Sequence, residues 1–388
     1  MFASVDMRNF LSVILFLFSV SSAQAKTWQG HSGPWGELTI SSMYLEAPNS
    51  VIDVIAKPNS VTRWSFPGTT PSGVKSILIK AGVQGALVEA LTTTPKLVIS
   101  GSDVLLYPSL DDLLQLSATT RDTLYAEIAK SEQNEHYFEP VYILSDDAEE
   151  WLEKSNLSKA QKETFRRLVW HRANALVFSD IEALLGQAES KEEIDNTIRA
   201  VTRNRTLLVS EHFPLKNQTN EEFIRYWFAG QPESPRMTFI KSIASESSIN
   251  DTVDVMHFFP VLMRERTYTF PSIRDATKGR MPDCHWTSLN FFNLTPRDYY
   301  RNTKLAALQL TESYDAVSPP YRFGDVLCYI DNGNGLHTCV YIADDIVLTK
   351  NGENILSPWV LLYVSDVSKI YKRTPTTTIQ GYRLKKAL

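Results

Sequence analysis

Short apolar runs separated by Pro, Gly and Ser open the chain, and the period of the apolar pattern changes along its length. Between residues 26 and 120 the runs Glu37-Leu38-Thr39-Ile40, Val74 to Ile79, Lys96 to Ile99 and Asp103 to Tyr107 alternate with turn-forming clusters such as Phe66-Pro67-Gly68. This spacing predicts a small α+β region. From 120 to 244 the apolar positions take helical spacing, most clearly over Ser158 to Leu185, where Phe165, Leu168, Val169, Leu176 and Val177 fall on one stripe. Ser158 with Gln161, Ser190 with Glu193 and Thr219 with Glu222 each supply a capping box, so the helices are expected to be short and packed on one another.

A small, polar and acidic stretch from Ser245 to Asp254 marks a boundary, after which Val255 to Met263 is apolar again. The expected division is a region spanning 26–249 of unassigned role and a last domain spanning 250–388, whose length of about 135 residues suffices for one core. At the other end, Arg8 precedes an apolar run from Phe10 to Val20, followed by the small residues Ala23 and Ala25. That order is the grammar of a cleaved export signal over residues 1–25, with Lys26 as the first mature residue. The run is shorter than the roughly 20 residues of a spanning helix, and no later segment approaches that length. The expectation is an exported chain, periplasmic or secreted, with no transmembrane segment once the signal is removed.

The net charge of −5 offers no basic field to draw in phosphates, so no nucleic-acid partner is expected. Three cysteines occur, at 284, 328 and 339. An odd number leaves one thiol without an internal partner. Asp283 is a good N-cap for a helix carrying Trp286, Leu289 and Phe292 on one stripe, which sets Cys284 in the first turn, where unpaired N–H groups and the helix dipole favour a thiolate. Further on, Arg322 to Ile330, the turn Asp331-Asn332-Gly333-Asn334-Gly335, and Leu336 to Ile342 read as strand, turn, strand. A third strand follows at Asp345 to Thr349, leading into Lys350, Asn351 and Gly352. Alternation gives His337, Cys339 and Tyr341 one face of their strand and Thr338, Val340 and Ile342 the other. The face bearing His337 is the one expected to meet the Cys284 helix.

Asp-Cys at a helix start, Gly324-Asp325 opening a strand, and His337 ahead of Val340-Tyr341-Ile342-Ala343-Asp344 resemble the NlpC-type cell-wall peptidases and the related CHAP amidases. The resemblance spans residues 270–365 and nothing upstream. It implies a papain-like α+β domain with Cys284 as nucleophile, His337 as base and a third polar residue on the next strand. That third position falls among Asn351, Lys350 and Thr349, with Asn351 preferred for its amide oxygen. Lys350 is the alternative, as a partner for the thiolate or for a substrate carboxylate. The implied substrate is an amide bond, in peptidoglycan stem peptides by resemblance. No cofactor is implied. Two departures stand out: Cys339 occupies a position where those families commonly hold Gly, and the third residue is not fixed by its type.

Other readings use the same residues. Cys284 is also explained as an inert buried thiol in a non-catalytic cell-wall protein with a decayed hydrolase fold. A thiol acyltransferase or esterase would need the same pair. Cys328 and Cys339, on neighbouring strands, fit either a disulfide or plain packing. A zinc site from Cys284, His337, Cys339 and His285 lacks closely paired ligand spacing. His285 points about 100° round its helix from Cys284 and is expected at the surface. His31, His136, His171, His212 and His257 carry no motif.

Overall fold

Strand Leu38–Leu45 is the hinge of the architecture, pairing with Thr27–Gln29 on one side and with Asn204–Phe213 on the other, and Asp251–Asp254 completes a four-stranded antiparallel sheet. The computed structural model describes residues 27–385 apart from 54–58, 146–147, 214, 216–218, 229–234, 246–250, 278 and 280. The expected export signal lies outside the described residues, as does part of the polar stretch from Ser245 to Asp254. Among the described residues no helix is long and apolar enough to cross a membrane.

Between strands Leu38–Leu45 and Asn204–Phe213 the chain builds short helices and two three-stranded antiparallel sheets around a core that includes Trp64, Tyr125, Phe165, Trp170 and Phe178. The capping box of Ser158 and Gln161 forms as expected, and so does the reciprocal pair of Thr219 and Glu222. Two expectations are corrected. The apolar run at Val74 lies in helix Pro71–Lys80, because Thr70 accepts the Gly73 N–H at 3.1 Å and Pro71 presets the first turn. The helix starting at Lys159 stops at Leu168, and residues Trp170–Arg172 and Ala175–Phe178 form a hairpin about Ala173, whose φ is 52°. Trp170, Val177 and Phe178 favour strands, and the helical spacing of Leu176 and Val177 is coincidental.

The C-terminal part is a six-stranded sheet in the order Tyr314–Val317, Thr378–Leu384, Val326–Asp331, Asn334–Ala343, Ile346–Lys350, Trp359–Tyr363, antiparallel throughout. Asn332 and Gly333, with φ of 49° and 81°, make the two-residue turn in which Asp331 pairs with Asn334, as the Asn-Gly signal predicts. Gly324 is obligatory: its φ is +88° and an added Cβ would lie 2.2 Å from Phe292. Its neighbour Asp325 accepts two bonds from Arg383, at 2.7 and 2.6 Å, and one from the Arg322 N–H at 2.8 Å. Gly324-Asp325 is thus a strand-opening device that clamps two strands of the sheet. The chain is a mixed α+β protein with antiparallel sheets.

The sheet's two faces bury different partners. Val340, Ile342 and Leu348 share a core with Trp286 and Leu289 of helix Cys284–Leu289 and with Leu38, Ile40, Leu207 and Val209 from the upstream sheet. Cys339, Tyr341, Val347 and Val360 face helix Val364–Tyr371 through Val367 and Ile370. The outer strand Trp359–Tyr363 is not left as an open edge. Tyr268 N–H donates to the Trp359 carbonyl at 2.8 Å, the Trp359 N–H donates to Thr269 at 3.1 Å, and the Leu361 N–H donates to the Thr206 hydroxyl at 2.9 Å. Thr206 therefore satisfies a buried edge amide from a strand of the other sheet. Replacing it by the isosteric Val leaves that amide without an acceptor, and we expect Thr206→Val to lower the unfolding free energy by about 1 to 3 kcal/mol in urea titrations. A loss below about 0.5 kcal/mol would mean the two sheets do not depend on this bond.

Candidate functional site

Asp283 caps helix Cys284–Leu289 by accepting the Trp286 N–H at 2.6 Å, which makes Cys284 its first residue. Cys284 is only 6% exposed. Burial pushes its thiol up to about 12, with the adjacent Asp283 carboxylate adding to the shift. Hydrogen bonds to the sulfur from the Thr338 backbone and hydroxyl and from the His285 backbone pull the other way and are outweighed. The resting group is a neutral thiol, contrary to what the helix start alone suggests.

His337 is fully buried, and desolvation holds its imidazole well below the usual histidine range. Its Nε2 lies 2.8 Å from Thr349 Oγ1, and Thr349 in turn donates to Asn351 Oδ1 at 3.3 Å. A hydroxyl has one proton. With the Thr349 proton directed to Asn351, Thr349 accepts from His337, the tautomer that puts the imidazole proton on Nε2 and the lone pair on Nδ1. Nδ1 is buried and has no hydrogen-bond partner among the described residues. Tyr371 stacks on the ring with centroids 3.9 Å apart and planes 7° apart, and its hydroxyl donates to Asn351 Oδ1 at 3.5 Å. Tyr371 and Thr349 thus hold the plane of the ring and its rotation.

The strand parity expected for His337, Cys339 and Tyr341 is the one observed, but the helix lies on the opposite face. Trp286 and Leu289 pack with Val340 and Ile342, because the aliphatic face offers the larger apolar partner surface. Cys284 and His337 nevertheless line one cleft of about 530 Å³, together with Asn351, Gly352 and Tyr371. Both lie near the point where the ladder ends. The register between strands Asn334–Ala343 and Ile346–Lys350 runs from Val340 with Leu348 to Ala343 with Ile346, and beyond it Thr338 turns its N–H to the Cys284 sulfur. No hydrogen bond joins the sulfur directly to the imidazole among the described residues.

The third position resolves into Thr349 in direct contact with His337 and Asn351 one bond further out. Lys350 leaves the strand on the other side. It is fully buried and its Nζ donates to the Gly352 and Asn354 carbonyls at 2.8 and 3.1 Å. Burial lowers it to about 8, against the pull of Asp283 and Cys284. Lys350 thus neighbours the thiol without touching His337. His285 is corrected as well: it is partly buried, and its Nδ1 lies 3.1 Å from Thr338 Oγ1, so it braces the strand rather than facing solvent. Tyr371 had no motif to announce it. Cys328 and Cys339 are free. Cys328 pairs with Thr338 and Leu327 with Cys339, so the two thiols leave opposite faces of the sheet. Among the described residues no group of His, Cys, Asp or Glu could hold a metal ion.

Neither a family model, nor a curated protein, nor a solved structure matches the chain.

With its thiol near 12, Cys284 should be alkylated by iodoacetamide about tenfold faster per pH unit from about pH 7 to about pH 10, with no plateau. Peptide mapping of the labelled thiol reads this directly. A plateau setting in near pH 8 would show an ordinary or lowered pKa and overturn the picture of a desolvated resting thiol.

Proposed function

We propose that this protein is a cysteine hydrolase that cleaves a peptide or amide bond, with Cys284 as nucleophile and His337 as base, of the papain-like NlpC type that its residue order resembles. The observation that carries the reading is the buried, unpartnered Nδ1 of His337, held with its lone pair free by Thr349 and Asn351. A histidine that served only packing would have both nitrogens satisfied.

Thiol and imidazole are both neutral at rest, so nucleophile and base do not form a standing ion pair. The sulfur swings from Thr338 toward Nδ1 as substrate enters. Cys284 then attacks the carbonyl carbon while its proton passes to Nδ1, and the tetrahedral oxyanion takes a hydrogen bond from the Cys284 backbone N–H. The imidazolium returns the proton to the leaving amine as the C–N bond breaks. Water, deprotonated by Nδ1, then cleaves the thioester and restores the thiol. Thr349 stabilises the imidazolium by accepting its Nε2 proton in a hydrogen bond, the part played by Asn in papain-like triads. Peptidoglycan stem peptides are the proposed substrate, in keeping with the export signal read in the sequence. The competing reading is a non-catalytic cell-wall protein with a decayed hydrolase fold, and the burial of Cys284 is the observation that favours it.

Mass analysis of muropeptides after incubation with the protein separates the two. Wild type should release new fragments, Cys284→Ala none, and Thr349→Val should slow release by about hundredfold while Thr349→Ser largely restores it. Products that persist in Cys284→Ala, or no product from cell wall or from a panel of acylated peptides, would remove the hydrolase claim.

A further inference from the structure

Two polar residues beside Cys284, Thr338 and His285, are held in one hydrogen-bonded chain with the sulfur. Thr338 shares a strand face with Val340, the face packed against helix Cys284–Leu289, and it is fully buried. Its hydroxyl and its backbone N–H both donate to the Cys284 sulfur, and the His285 N–H is a third donor. The same hydroxyl oxygen lies 3.1 Å from Nδ1 of His285, whose side chain is partly buried. The thiol and the imidazole of consecutive helix residues therefore converge on a single hydroxyl of the facing strand.

A hydroxyl carries one proton and two lone pairs. With that proton directed to the sulfur, Thr338 accepts from His285, the tautomer that puts the imidazole proton on Nδ1. The reverse polarity would give the Thr338 proton to Nδ1 and turn an oxygen lone pair toward the sulfur, which repels it once the sulfur is charged. A neutral thiol is a weak acceptor, whereas a thiolate takes charge-assisted bonds, so three donors converging on one sulfur favour the anion. Burial of Cys284 opposes them and prevails at rest. Asp283, Lys350, Cys339 and Tyr371 also act on the charge of the sulfur, and Asp283 and His337 interact with His285. The substitutions used below leave all of these in place.

We propose that His285 and Thr338 are positioning residues for Cys284: the His285 Nδ1–H fills a lone pair of the Thr338 hydroxyl, so that the Thr338 proton points at the sulfur and stabilises the thiolate. His285 acts only through Thr338 and touches no reacting atom. The link to turnover rests on the hydrolase reading, in which the sulfur starts from this cradle and returns to it when the thioester is cleaved. The proton arrangement itself does not need that reading.

The test is the rate of Cys284 alkylation by iodoacetamide in the full chain at about pH 8, far below the thiol's own titration, where the rate follows the thiolate fraction. Peptide mapping separates Cys284 from Cys328 and Cys339. Removing a donor raises the thiol further, so Thr338→Val and His285→Leu should each slow labelling by about tenfold, the effect of one hydrogen bond to a charged group. Thr338→Ser keeps the hydroxyl and should keep the rate. Because both residues act along one chain, His285→Leu placed in the Thr338→Val background should change the rate by less than about twofold. An unchanged or faster rate in either single variant, a Ser variant as slow as Val, or independent effects in the double variant would overturn the proposal. A second measurement uses the unaltered side chains, so a folding defect in Thr338→Val does not protect the idea. The imidazole nitrogen shifts of the 15N-histidine-labelled protein at about pH 8, where burial keeps His285 neutral, should place its proton on Nδ1, and a proton on Nε2 would sink the assignment. Slowed labelling in both variants with no muropeptide product would keep the cradle and discard the hydrolase. Muropeptide cleavage with unchanged labelling in both would do the reverse.

Discussion

The bond between Thr349 Oγ1 and His337 Nε2 decides what the rest of the cleft can do. A neutral imidazole has one donor and one acceptor, and in a buried site the partner of one nitrogen dictates the state of the other. Asn351 Oδ1 can only accept, so the Thr349 proton is committed to it and the His337 proton is committed to Thr349. The lone pair is left on Nδ1 before any substrate arrives. Tyr371 prevents the ring from turning away by stacking on it, and reinforces Asn351 through its own hydroxyl. Without Thr349, neither the stacking nor the burial would distinguish Nδ1 from Nε2.

Burial sets the energetic balance around this bond. The same low-dielectric surroundings raise Cys284 and lower His337, so both shifts disfavour the charged pair and favour the neutral one. In the hydrolase we propose, proton transfer accompanies attack instead of preceding it. Lys350, on the other face of its strand, is lowered by burial and drawn back up by Asp283 and Cys284. Lys350 is thus a buried cation near enough to Cys284 for their charges to interact, on the face of its strand opposite Thr349.

The pieces legible in the sequence are those governed by local chemistry. Asp283 as N-cap, the Asn332-Gly333 turn, the parity of His337 against Val340 and the capping boxes at Ser158 and Thr219 depend on neighbours within a few residues, and all take the expected form. What could not be read depends on distant surfaces. The side of the sheet chosen by the Cys284 helix follows from where Trp286 and Leu289 find apolar partners, which include residues from the upstream sheet. Residue type favours the amide of Asn351, whereas the register at the end of the ladder sets Thr349 against Nε2. Tyr371 enters from a helix that follows the whole sheet, and its role is invisible to any spacing rule. The run at Val74 failed differently: its apolar content suggests a strand, and Thr70 with Pro71 imposes a helix.

Strand Asn204–Phe213 shows why the upstream region and the cleft cannot be treated as separate problems. Leu207 and Val209 enter the core shared with the Cys284 helix, Thr206 satisfies the edge amide of Leu361, and the strand's beginning carries Arg205 and Arg203 into the cleft. Arg205 further meets Asp366 of helix Val364–Tyr371, whose last residue stacks on His337. One strand therefore fixes the edge of the sheet bearing His337, touches the helix that stacks on its ring, and contributes residues to the lining of the same cleft. A displacement of this strand relative to the sheet would alter the width of the cleft and the placement of His337 together.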